Sequence, residues 1–207
     1  MDARVILDKV IELDKEIATL QNRFDELPTE DQAAALTTLF DNQLKSTGEL
    51  DEDIRPFYRV VEMMSTIDGA ALLLARGLSH SNEGVRHVCG DVLSHIAAED
   101  GLAAIAPAVE HAIRMQDLSA REMPYILSLI EDPAAVAQIH RFLDSEDTEV
   151  VYQAIEACAN LSDMDSLPPL RRLIDDDREI DIDDEEGPVT IGMLAREAIE
   201  IIESDEE

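Results

Sequence analysis

Tryptophan is absent from this chain, and tyrosine and phenylalanine together supply only 3% of its residues. An interior without large rings must be built from Leu, Ile, Val, Ala and Met, which suits helices laid closely on helices. Lysine stands at only three positions, Lys9, Lys15 and Lys45, and basic residues number 16 against 47 acidic, for a formal charge of -31. A surface of that sign repels phosphate backbones and anionic headgroups, which argues against nucleic acid or a membrane surface as partner. It attracts cations and basic proteins over a Debye length of about 8 Å at physiological salt. Few lysines among many carboxylates also describe adaptation to a salt-rich cytosol, where acidity serves solubility.

Cys89 and Cys158 are the only cysteines, and neither has a CxxC companion, so no disulfide framework or zinc knuckle is expected. Both fall within apolar helical pattern and read as reduced, buried small residues. No stretch approaches 18 uncharged apolar residues, and Met1-Asp2-Ala3-Arg4 is not the start of a basic region followed by an apolar run. Neither a membrane span nor a signal peptide is expected, and the location expected is cytoplasmic. The eight glycines are scattered, forming neither a phosphate-cradling loop nor a Gly-x-Ser-x-Gly turn, so no cofactor and no nucleophilic catalysis are expected.

What is present is a period. Ile67-Asp68-Gly69-Ala70, Glu99-Asp100-Gly101-Leu102, Glu131-Asp132-Pro133-Ala134 and Met164-Asp165-Ser166-Leu167 place their aspartates 32, 32 and 33 residues apart. Each phrase follows one apolar helix-like stretch and opens another, the mark of stacked helical hairpins. The apolar spacing predicts helices over 3–24 and from Thr29 to about Leu44, the latter with a Thr29/Gln32 capping box. It then predicts helices near 52–65, 68–78, 83–97, 100–114, 119–130, 133–143, 147–161, 166–175 and 189–203. The recurring aspartate sits where a helix N-cap belongs, with Pro133 suited to a first helical position.

Two helices superimpose at an offset of 65: Val85, Cys89, Leu93 and Ile96 match Val150, Ala154, Cys158 and Leu161. The preceding turns match as well, Leu78-Ser79-His80-Ser81 lying over Leu143-Asp144-Ser145-Glu146. The segments from Glu83 to Leu93 and from Asp147 to Ala154 resemble HEAT repeats, of the short bacterial and archaeal variety related to the phycobilisome-lyase group, and the resemblance spans about 52–203. It implies an all-α fold, a right-handed α-solenoid of HEAT-like helical hairpins behind an N-terminal helical cap. The cap would occupy residues 1–50 and the array 51–207. The arginine common after the repeat's valine is present as Arg86, but Val151 replaces it in the later copy. The family hosts scaffolds, inhibitors and a few enzymes.

Glu83, His87, Asp91 and His95 recur every four residues and so share one helix face, a spacing at which a divalent metal could be held. Iron-binding HEAT-repeat enzymes, the deoxyhypusine hydroxylases, use repeated His-Glu pairs, whereas Val88 follows His87 here. The later copy has Tyr152, Glu156 and Asn160 at the matching places, so no second half-site forms and the face reads as polar surface. Residues 175–186 carry nine carboxylates, with Glu186 where a calcium loop needs glycine and Gly192 where it needs glutamate. That segment, inserted over 175–188, reads as a solvated, mobile loop.

In such arrays the helices following the inter-repeat turn usually line the concave side. The positions there are Glu83, His87, Asp91 and His95, then Glu122 and Tyr125, then Glu149, Tyr152, Gln153 and Glu156. Carboxylates with two tyrosines suit an Arg- and Lys-rich protein. The expected function is therefore non-catalytic binding of a basic protein partner, in its sharpest form an inhibitor or immunity protein of a cationic toxin. The alternatives are a scaffold or adaptor whose acidity reflects a saline cytosol, or a bilin-lyase-like accessory protein.

Overall fold

The computed structural model describes residues 3–46, 61, 69–130, 132–181 and 189–204. Two helices lead, α1 (Ala3–Asp25) and α2 (Thr29–Ser46). After them come α3 (Ala70–Leu78), α4 (Glu83–Asp100), α5 (Leu102–Met115), α6 (Leu118–Ser128), α7 (Pro133–His140) and α8 (Thr148–Leu161). A 3-10 turn (Met164–Ser166) leads into α9 (Leu167–Arg171), and α10 (Ile191–Ser204) closes the order. The helix expected over 52–65 lies outside the described residues, apart from buried, helical Val61.

The array has two layers. Helices α4, α6, α8 and α10 pack in succession as one, and α3, α5, α7 and the turn before α9 form the other. The two layers face each other across their apolar stripes: Val85, Cys89, Leu93 and Ile96 from α4 and Val150, Ala154 and Cys158 from α8 are buried as the pattern required, while Leu161, expected among them, is half-buried at the end of α8. Leu36 and Phe40 of α2 enter the same core. Arg76 on α3 pairs with Asp41 on α2 at 3.0 Å.

Helices α3 and α4 lie close together at Gly77, where an added Cβ would stand 2.3 Å from Cys89 Sγ and 3.3 Å from Phe40 Cζ. Gly77→Ala should therefore cost about 2 kcal/mol by overpacking. Cys89→Ala clears the obstruction, so the double variant should be more stable than the two single losses summed. Urea unfolding of all three variants checks this; strictly additive losses would place the obstacle elsewhere.

The capping aspartates fall only in part where the period put them. Asp132 caps α7, its carboxylate accepting from the Ala134 N–H at 2.8 Å with Pro133 next, as expected. Asp100 does not cap: α4 runs through it, and Gly101 at φ 82° makes the joint to α5. A left-handed residue closes one helix and opens the next in a single step, leaving no place for a side-chain cap. Asp165 lies inside the 3-10 turn, and Asp163 accepts from its N–H at 2.8 Å. Asp68 is outside the described residues. Gln32 of the expected capping box turns its amide to the Leu27 carbonyl at 2.9 Å.

The acidic insertion is anchored rather than loose at both ends. Glu179–Ile180 pairs antiparallel with Val189–Thr190, and Ile180 and Val189 are buried. The expected 166–175 helix stops at Arg171, and the 189–203 helix begins two residues late because its first residues join this ribbon. Residues 182–188, between the strands, lie outside the described set.

Candidate functional site

The outward face of α4, α6, α8 and α10 is where the candidate residues lie. Each helix of this layer up to α8 starts from a side-chain cap that sets its rotation: Asn82 accepts from Val85, Asp117 from Ser119, and Asp147 from Glu149. Burial pushes the Asp117 carboxyl up, but hydrogen bonds from Ser119 and Ser79 outweigh it and hold the group below the usual carboxylate range.

Four residues beyond each cap stand Arg86, Arg121 and Val151. The two arginines form a ladder along the layer. Arg86 donates through Nε to Glu122 at 2.7 Å and through Nη1 to the carbonyls of His80 and Ser81. Arg121 grips Asp147 Oδ2 with Nε at 3.1 Å and Nη2 at 2.8 Å. Val151 cannot continue the ladder, and Arg178 does so from a distant part of the chain. Its Nη1 donates to the carbonyls of Ser145 and Glu146, at 2.9 and 3.3 Å, which match those of His80 and Ser81 at the offset of 65. Asp176 holds Arg178 with both carboxylate oxygens, at 2.7 to 3.1 Å, and that pairing keeps the Asp176 carboxyl below its usual range. The missing arginine at position 151 was the one clue in the sequence; nothing local pointed to residue 178.

Of the residues expected to bind a partner, Glu83, His87, Asp91 and His95 are all exposed on α4. Glu83 Oε1 stands 3.6 Å from His87 Nε2. Glu122 differs from the rest: it is half-buried and occupied by Arg86, so it acts within the ladder. Tyr125 is 56% exposed, beside Leu129 at 53%. On α8, Glu149, Tyr152 and Gln153 are half-buried and Glu156 is exposed. Burial raises the Tyr152 phenol, and the carboxylates of Glu156 and Glu149 raise it further, so the hydroxyl is a neutral donor set between two anions. Among the described residues, Asp91, Glu149 and Glu156 have no Lys, Arg or His nitrogen within 4 Å, while the ladder arginines are engaged internally.

The thiols are core groups. Burial raises Cys89, and it pushes Cys158 up to about 11, so neither presents a thiolate at neutral pH. His140 Nε2 lies 2.9 Å from Ser166 Oγ, and burial holds its ring below the usual histidine range against the pull of Asp163 and Asp165. Among the described residues no group of three or more His, Cys, Asp or Glu side chains is placed to hold a metal ion, and no helix is long and apolar enough to cross a membrane.

Two layers of paired helices, joined repeat to repeat by arginine ladders, define a helical-repeat protein of solenoid type. Residues 115–183, from the last residue of α5 into the insertion, match the family described as HEAT repeats. Among solved structures, the crystal structure of an engineered protein is similar to it at 20% identity and a TM-score of 0.35, over 86% of this chain and 93% of that one. No curated protein matches the sequence. HEAT repeats point to protein–protein interaction or scaffolding, and proteins built of them are in general non-catalytic.

Proposed function

We propose that this protein binds a basic protein through the outward face of the α4–α6–α8 layer. The observation that carries the reading is the α8 cluster, in which Tyr152 stands between Glu149 and Glu156 with neither carboxylate neutralised by a described cation. A half-buried tyrosine offers rigid contact area at small entropic cost, and the flanking anions offer charge-assisted bonds to guanidinium or ammonium groups. Exposed Tyr125 on α6, and Leu129 just past its end, supply apolar area in the same layer, and Glu83 and Asp91 on α4 add further carboxylates to it. The long-range field of a chain at -31 speeds the encounter, while this cluster decides where the partner rests. In its sharpest form the partner is a cationic toxin held inactive by occlusion.

The test separates local recognition from bulk charge. Glu149→Lys with Glu156→Lys changes the net charge by the same amount as Asp177→Lys with Glu179→Lys, which lie on the exposed insertion. In titrations of a fluorescent Arg- and Lys-rich peptide, the first pair should weaken binding at least about tenfold, equivalent to about 1.4 kcal/mol, and the second far less. Equal losses from both pairs would mean that the peptide follows net charge alone, and the proposed face would be wrong.

A further inference from the structure

Helix α1 carries an apolar seam that, among its described side chains, the array covers only at Phe24. Among its described side chains Phe24 joins the core, whereas Leu13, Ile17 and Leu20 are 44%, 37% and 62% exposed. Leu27, just beyond the helix, is also exposed. The seam has a strict rhythm in the sequence: Ile6, Val10, Leu13, Ile17, Leu20, Phe24 and Leu27 follow one another at alternating steps of four and three. That is the 3.5-residue period of a two-stranded supercoil, with Val10, Ile17 and Phe24 at one core position and four Ile or Leu residues at the other. From Lys9 to Arg23 the flanking positions are Lys9, Asp14, Glu16, Gln21 and Arg23, all polar. Exposed Ile11, at 53%, stands one position past Val10 and widens the stripe at its start, whereas from Ile17 to Phe24 the large apolar residues keep to the seam.

We propose that α1 is a dimerisation helix, and that its occupant is the α1 of a second copy of this chain in a parallel coiled coil. Charge argues for a second copy. Helix α1 holds four of the 16 basic residues and five of the 47 acidic ones, so it is nearly neutral in a chain that elsewhere repels itself. Side-chain shape argues for two strands, because β-branched Val10 and Ile17 alternate with Leu13 and Leu20 in the arrangement that favours parallel dimers. Register argues for the parallel sense. In it the flanking positions set Lys9 of one copy against Asp14 of the other, twice by symmetry. Overlapped end to end in the antiparallel sense, the same positions oppose Glu16 to Glu16, Asp14 to Asp14 and Lys9 to Arg23, all like charges. The exposed Lys9–Glu12 pair, at 2.8 Å within one helix, is worth little and can be exchanged for the intermolecular one.

Light scattering on the full chain at about 100 μM and about 0.15 M salt should give twice the 22.9 kDa chain mass. Leu13→Asp with Leu20→Asp should return the mass to that of one chain, leaving the thermal melt of the array in place. Leu20→Cys should cross-link to a covalent dimer under mild oxidation, because equivalent core positions face each other only in the parallel register, and the native thiols are buried. Lys9→Glu should loosen the dimer, and adding Asp14→Lys should restore it. A chain that stays monomeric, a dimer that survives the paired aspartates, or a dimer that Leu20→Cys fails to cross-link would each overturn the proposal.

Discussion

Gly192→Ala should lower the melting temperature by about 6–10 °C, from a loss of about 3 kcal/mol. The added Cβ would stand 2.6 Å from the Ile174 carbonyl oxygen and 3.0 Å from that of Asp176. Those atoms are backbone, so no rotamer change relieves the collision. The same approach carries the hydrogen bond from the Gly192 N–H to the Asp176 carbonyl at 2.9 Å, and Arg196 donates to the Ile174 carbonyl nearby. Pushing α10 away would break these bonds and expose the ends of the ribbon that anchors the insertion. Calorimetry checks the magnitude; a fall below about 2 °C would mean that the 174–176 turn yields freely.

Arg178→Ala should cost about 2 kcal/mol near neutral pH, because it strands a carboxylate and two carbonyls at once. Arg178→Lys should recover only part, since one ammonium cannot span Asp176, Ser145 and Glu146 in the planar geometry a guanidinium uses. The deficit should depend on pH in a determined direction. Arg178 depresses the Asp176 carboxyl in the folded protein. That contribution is present above the unfolded value of about 3.9 and is lost as pH falls through the folded one. The gap between the native protein and Arg178→Ala should therefore be full at pH 6 and shrink toward pH 3. Urea midpoints across that range measure it, and a gap that widened in acid would remove the pair from its assigned role.

Much of the array was legible because each helix buries one stripe, and burial writes a 3.6-residue period into the chain. Helices α4, α6 and α8 begin and end within a few residues of expectation. The errors share a cause. A 32-residue spacing marks where hairpins turn but not how, so Asp100 and Asp132, alike in the sequence, became a helix end and a helix cap. Glu122 looked like a free carboxylate because its partner, Arg86, lies 36 residues away. The insertion looked loose because its charge is local, whereas the contacts that hold its ends, Arg178 to Ser145 and Glu179 to Thr190, are not.

By itself the sequence determined the class of this protein: helical hairpins on an aliphatic core and a strongly acidic surface. Those properties depend on periodicity and composition, which neighbouring residues carry together. Only the tertiary structure decided which acidic groups are spent within the ladder and which are left exposed, and that an arginine from position 178 fills the rung left empty at 151. An ion pair depends on distance in space, and hairpin stacking brings together charges that nothing in the local sequence connects.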